Sequence, residues 1–142
     1  MNFKDLPEVD CAARWWADHV GSKKQNNGDG MQSIMVFMLG EVKPLNDEEK
    51  IDFVKEFKAG LQDKWTISNV SWNIEDPIRG SYFRTIGVDY QPDHILTRAL
   101  NSIGHQVQIR SFPMKTVMWI NPGSVEVALG YKAKPVEIFN KE

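Results

Sequence analysis

The chain is 142 residues long, enough for one domain that buries roughly 65 to 70 % of its extended surface on folding. Hydrophobic residues make up 42 %, charged residues 25 %, and the formal charge is -2, a balance that excludes a disordered chain, a polybasic nucleic-acid binder and a strongly acidic mimic of DNA. A single cysteine, Cys11, excludes an internal disulfide framework and a multi-cysteine zinc site.

In chain order, Met1-Asn2-Phe3-Lys4-Asp5 lacks the basic-then-apolar plan of a signal peptide, and no apolar run reaches the ~18 residues of a membrane helix. A soluble, cytoplasmic chain is expected. Asp10 reads as the N-cap of a first helix running to about Val20, with Gly21 at its C-terminal end. Residues 22–30 are polar and turn-rich, which predicts an exposed loop. Met31, Ile34, Met35, Met38 and Val42 then recur at three- and four-residue steps and predict a second helix, widened by Phe37 and stopped by Pro44. Asn46 with Glu49 forms a capping pair for a third helix carrying Ile51, Val54, Phe57, Lys58 and Leu61 on one stripe.

After Asp63 the period changes. Trp65, Ile67, Val70, Trp72 and Ile74 predict a strand with an irregularity near Ser68-Asn69. A turn at Asp76-Pro77 and Arg79-Gly80 leads to a second strand on Tyr82, Arg84, Ile86 and Val88, the two pairing antiparallel. Pro92 opens a fourth helix on Ile95, Leu96, Ala99, Leu100 and Ile103 that ends at Gly104. Val107, Ile109 and Ser111 read as a strand entry. Residues 116–120 and 125–131, joined by Asn121-Pro122-Gly123-Ser124, predict a β-hairpin, and Val136 with Ile138 a short edge strand. The expected fold is a single α+β domain over residues 1–142, with N-terminal helices followed by a mainly antiparallel sheet and one inserted helix.

The residues that carry chemistry are sparse. His19, His94 and His105 show no paired metal-ligand spacing, so neither a metal nor another cofactor is expected. Cys11 and His19 are two helical turns apart, about 12 Å, too far for a nucleophile and its base. Asn27-Gly28-Asp29-Gly30 precedes a helix, as a phosphate cradle does, yet it lacks the Gly-Lys-Ser/Thr ending, and Asp29 repels an anion. Five tryptophans are many for this length; they suit a buried core, and beside cations they also suit flat anionic ligands.

Charge leans the same way. Residues 1–71 hold nine Lys and Arg against twelve Asp and Glu, and residues 72–142 hold eight against seven, which makes the C-terminal half the better anion receiver. There Lys115, Val117 and Trp119 fall on one strand face, with a cation and an indole about 6 to 7 Å apart to address the phosphate and base of one nucleotide. Arg84 on its strand before Tyr90 follows the same logic, against the alternative of a surface charge on an edge strand. The candidate ligand-binding residues are Arg84, Tyr90, Arg110, Phe112, Lys115 and Trp119; no catalytic residue is expected.

Taken in order, the segments Cys11 to His19, Gly87 to Asp93, Phe112 to Ile120 and Val125 to Tyr131 resemble the first class of the Thoeris anti-defence sponge family of small phage-encoded proteins. That resemblance implies a non-enzymatic protein in the cytoplasm of an infected bacterial host. It implies capture of cyclic ADP-ribose-type signals, and in some members cyclic oligonucleotides, without cleaving them. It also implies a homo-oligomer with pockets between subunits, and no contact with a membrane or a nucleic-acid polymer. Capture at nanomolar strength needs about 12 kcal/mol, more than exposed ion pairs supply, so aromatic enclosure is expected to contribute. Two alternatives stand beside it: a protein-binding inhibitor of another bacterial defence complex, and a small nucleotide-acting hydrolase or transferase working through Asp89, Asp93 or a histidine.

Overall fold

A computed structural model describes residues 1–21, 42–108, 110–130 and 132–141. The expected 22–30 loop, the second helix from Met31 to its end at Val42, the Asn27–Gly30 cradle, and the contributions of Ile109 and Tyr131 lie wholly or mainly outside those residues. Among the described residues the chain folds as an α+β domain. A 3₁₀ turn (Phe3–Asp5) leads into helices α1 (Pro7–Asp18) and α2 (Asp47–Ile67). A second 3₁₀ turn (Ser81–Arg84) runs into β1 (Thr85–Val88), then α3 (His94–Ser102), β2 (Thr116–Asn121), β3 (Ser124–Leu129) and β4 (Val136–Asn140). The strands form one antiparallel sheet in the order β1-β2-β3-β4.

Helix α1 begins four residues earlier than an N-cap at Asp10 implies. Pro7 occupies its first position, where a fixed φ fits the helix and the missing N–H would have had no partner anyway. Asp10 is instead an ion-pairing residue, bound to Lys58 at 2.5 Å and Arg14 at 2.7 Å. Burial pushes its carboxyl up, but the hydrogen bonds from Lys58 and Arg14 outweigh that and hold it below the usual aspartate range.

In α2 the Asn46–Glu49 capping box forms as expected. The Glu49 N–H donates to Asn46 Oδ1 at 2.8 Å, and the Asn46 N–H donates to Glu49 Oε1 at 3.0 Å. The helix then outruns the expectation and ends at Ile67. Phe53, Phe57, Leu61 and Trp65, all fully or almost fully buried, are four residues apart, so one helical stripe continues through Trp65. The strand expected over 65–74 therefore does not exist. Residues 68–80 are turns, and β1 takes its partner from β2, with Ile86 opposite Met118. The expected strand entry around Val107 is likewise not a strand. Helix α3 is capped by Asp93, whose carboxylate accepts the Ile95 N–H at 3.0 Å, so Pro92 lies just before the helix.

The hairpin and edge strand form where expected. Asn121 pairs with Ser124 across Pro122-Gly123, and Gly123 has φ +83, a value open to glycine at the third position of a turn opened by proline. Glu8 at the start of α1 accepts the Gly123 N–H at 2.8 Å, tying the hairpin to the helical layer. Alternation along β2 buries Thr116, Met118 and Ile120. With Ile86, Val125 and Val127 they form the sheet floor beneath Val9, Ala12, Ala13 and Trp16 of α1. Small alanines let α1 approach the sheet closely, and the aromatic stripe of α2 packs across α1 from its other side.

Glu49 also contacts Nε2 of His105, which follows α3. The hydrogen bond from Asn46 and the contact with His105 hold its carboxyl below the ordinary glutamate value. A lowered folded-state pKa stabilises the fold in full above the unfolded value, and that contribution is lost as pH falls through the folded one. Gln at this position can keep the capping box without the charge. Denaturant midpoints of Glu49→Gln should therefore fall less on acidification below the glutamate range than those of the parent chain. Identical acid limbs would remove Glu49 from that role.

Candidate functional site

The six residues singled out in the sequence do not converge. Arg84 is the last residue of the 3₁₀ turn before β1, and it is 0 % exposed. Its Nε donates to the Ile120 carbonyl at 3.0 Å; Nη1 donates to the carbonyls of Ser71 (2.7 Å) and Arg79 (2.9 Å); Nη2 donates to the Pro77 carbonyl (2.8 Å) and Asn121 Oδ1 (2.9 Å). All five N–H groups of the fork are thus used inside the protein. Trp72 covers one face, its ring centre 5.6 Å from the guanidinium carbon. No carboxylate is among these partners, and burial lowers the pKa of the group. Arg84 is therefore neither a ligand cation nor a surface charge.

Phe112 is equally internal. It is 2 % exposed and meets Trp16 at 6.0 Å and Phe53 at 6.1 Å between ring centres, which makes it core rather than a stacking platform. Lys115 precedes β2 in a left-handed conformation, φ +58, and its carbonyl accepts the Gly130 N–H at 2.8 Å. Trp119 lies four residues on, about 13 Å along an extended strand, twice the spacing one nucleotide needs. Arg110 and Lys115 also have interactions within the chain. Tyr90 is 69 % exposed at the tip of a tight loop closed by the Val88–Pro92 bridge. Tyr90 and Lys115 flank the β1/β2 end marked by Val88 and Thr116, whereas Arg84 sits at the other end, beside Thr85.

At that other end the structure displays what the alternation pattern concealed. Tyr82 and Phe83 are 82 % and 70 % exposed, with their rings in edge contact at 5.7 Å. Two residues after Phe83, Thr85 donates its hydroxyl to the Tyr82 carbonyl at 3.1 Å and pairs with Trp119, which also faces Glu126 of β3. Trp119 lies half-buried on the outer sheet face, away from the helices. Ile74 and Ile78, in the turns that Arg84 holds, are exposed as well. Large apolar side chains gathered this way on the surface mark a contact site. Four such residues in a segment broken by Pro77 and Gly80 could have signalled it, since turns rarely bury every apolar residue they carry.

Other chemistry is sparse among the described residues. No group of three His, Cys, Asp or Glu could hold a metal. Burial, and then Asp10, raise the pKa of the Cys11 thiol, whose sulfur lies 3.5 Å from the Ile138 carbonyl. The His19 Nδ1 lies 2.6 Å from the Trp15 carbonyl. A cleft of about 360 Å³ between the start of α2 and the end of α3 is lined by Glu48, Glu49, Asp52, Glu56 and Lys55, a charge set that disfavours an anionic nucleotide.

Comparison with known proteins gives a consistent answer. The model of the BTG family matches residues 31–139. No curated protein matches the chain. Among solved structures, the BTG/Tob domain of C. elegans FOG-3 is similar in fold, with a TM-score of 0.61, 16 % identity, and coverage of 94 % of this chain and 88 % of that one. These findings overturn the resemblance to the Thoeris sponge family. The segments that carried it form α1, the turn into α3, and the β2–β3 hairpin, and an amphipathic helix with a two-residue hairpin recurs in many α+β folds. Phage origin, anti-defence action and capture of a cyclic ADP-ribose-type signal fall with it.

The two aromatic residues first placed in a ligand site should therefore behave oppositely. Phe112→Ala is expected to cost about 3 to 5 kcal/mol of stability, while Tyr90→Ala should stay within about 0.5 kcal/mol. Urea denaturation of both variants checks this, and a Phe112→Ala chain as stable as its parent would return that ring to the surface.

Proposed function

The chain belongs to the BTG family, and on that premise we propose that it is a protein-binding domain without catalytic activity of its own. It engages a partner protein through the surface around Tyr82, Phe83 and Trp119. The observation that carries this reading is the exposed Tyr82–Phe83 pair at 5.7 Å, mounted on a turn whose last residue is pinned from inside by five hydrogen bonds. Exposed aromatic area costs solubility unless something covers it, and tyrosine and tryptophan dominate the energetic centres of protein interfaces. Two χ angles each keep the entropy lost on binding small. The raised thiol pKa of Cys11 makes it a poor nucleophile, which favours binding over turnover at that residue.

Affinity capture with the full chain, followed by reconstitution with each purified candidate partner, tests the proposal. Phe83→Ala and Trp119→Ala should each weaken the reconstituted pair at least tenfold, about 1.4 kcal/mol or more, without lowering the thermal midpoint of Phe83→Ala. Partners that bind both variants as tightly as the parent, or multiple turnover of a nucleotide by the purified chain, would overturn it.

A further inference from the structure

We infer that Arg84 is the positioning residue of the Tyr82–Phe83 surface, fixing from beneath where that surface and the adjoining Ile78 turn stand. The inference rests on reading Tyr82–Phe83 as a contact surface. Nothing in residues 68–80 is helix or strand, so no ladder of backbone bonds sets the path between the end of α2 and β1. What converges there is a set of carbonyl oxygens. Those of Ser71, Pro77 and Arg79 all lie within 2.9 Å of a terminal guanidinium nitrogen of Arg84, and the other two donors reach Ile120 and Asn121 at the end of β2. One side chain therefore joins three points of the connecting segment to two points of the sheet.

Short backbone bonds transmit that anchoring to the aromatic pair. The Ser81 N–H donates to the Ile78 carbonyl at 3.0 Å and the Phe83 N–H to the Gly80 carbonyl at 3.0 Å. Ile78 lies between two of the carbonyls that Arg84 holds, and Tyr82 and Phe83 immediately precede Arg84 itself. Gly80 completes the arrangement. Its φ is +75, and a Cβ there would stand 2.4 Å from Ser71 Oγ and 3.2 Å from Arg84 Nη1, so the segment closes over the guanidinium only where a side chain is absent. The fork accounts for arginine in particular. Lysine presents three donors from a single nitrogen and cannot reach five acceptors spread around the rim of a planar fork.

A single-domain antibody raised against the intact chain, and chosen because Phe83→Ala abolishes its binding, reports the shape of this surface without the natural partner. A missing partner and a misassigned Arg84 are thereby told apart. Three variants are compared: Arg84→Lys, Gly80→Ala, and Leu96→Ala as a destabilised control with a cavity under α3. Arg84→Lys and Gly80→Ala should each bind the antibody at least tenfold more weakly. Hydrogen exchange should accelerate in their amides at residues 71–83 while those of α1 and β3 stay protected. Leu96→Ala should bind within twofold of the parent. Should Arg84→Lys fail to fold, Gly80→Ala disturbs the same cradle with the guanidinium retained. Antibody binding within twofold of the parent in Gly80→Ala or a folded Arg84→Lys, or an equal loss in Leu96→Ala, would overturn the inference.

Discussion

One buried cation without a counter-ion among the described residues organises the functional end of this protein. Arg84 is fully enclosed, and a charge removed from water is tolerable only when every donor finds an acceptor. Here the acceptors are neutral oxygens, four of them backbone carbonyls, with the Trp72 ring against the face of the guanidinium. Carbonyls in an irregular segment need donors of their own, because no ladder supplies them. The guanidinium and the 71–79 segment thus solve each other's problem: the charge is solvated by backbone, and the backbone gains a fold it could not hold alone.

The same economy governs the contact between the two layers. Trp72 lies at a tilt to Trp65 of α2 at 6.2 Å, and Phe3 meets both rings edge-on. The aromatic stripe of α2 therefore runs into the face that covers Arg84. At the same end of the sheet the hairpin turn that follows Asn121 is tied to α1 by Glu8. Helical layer and sheet are thus joined by apolar burial across their middle and by a few directional bonds at the edges, and those bonds fix which way the exposed aromatics point.

How much of this could be read from sequence varies with the range of the cause. The Asn46–Glu49 box, the stripe of Ile95, Leu96, Ala99 and Leu100 and the Pro122-Gly123 hairpin depend on neighbours within a few residues, and all three were legible, with alternation along β2 giving its dry face; the start of α3 was not, since Asp93 rather than Pro92 opens it. The run after Asp63 was misleading because Trp65 satisfies two periods at once: it follows Leu61 by four and precedes Ile67 by two. Tertiary burial decided for the helix. Arg84 could not be read, since its five acceptors lie five to 37 residues away and each is an oxygen that no side-chain pattern advertises. A basic residue amid aromatics looked like a ligand site for the same reason that it makes a good internal brace.

That ambiguity bears on every tryptophan next to a charge in this chain. Trp16 and Trp65 are buried and Trp72 packs on Arg84 internally, so most of the unusual indole content serves the core and its lining. Trp15 stacks on His19 at 3.7 Å, a pairing along one helix that calls for no ligand either. Only Trp119 stands on the outer face of the sheet, opposite Thr85 and Glu126, with neither cation nor second indole on those paired positions to enclose a base. A half-buried ring on the outer face of a strand is suited to cover another surface. Tyr82 and Phe83 shortly precede Thr85, the β1 partner of Trp119, and their exposure gains a physical reason once a protein of complementary shape lies against them.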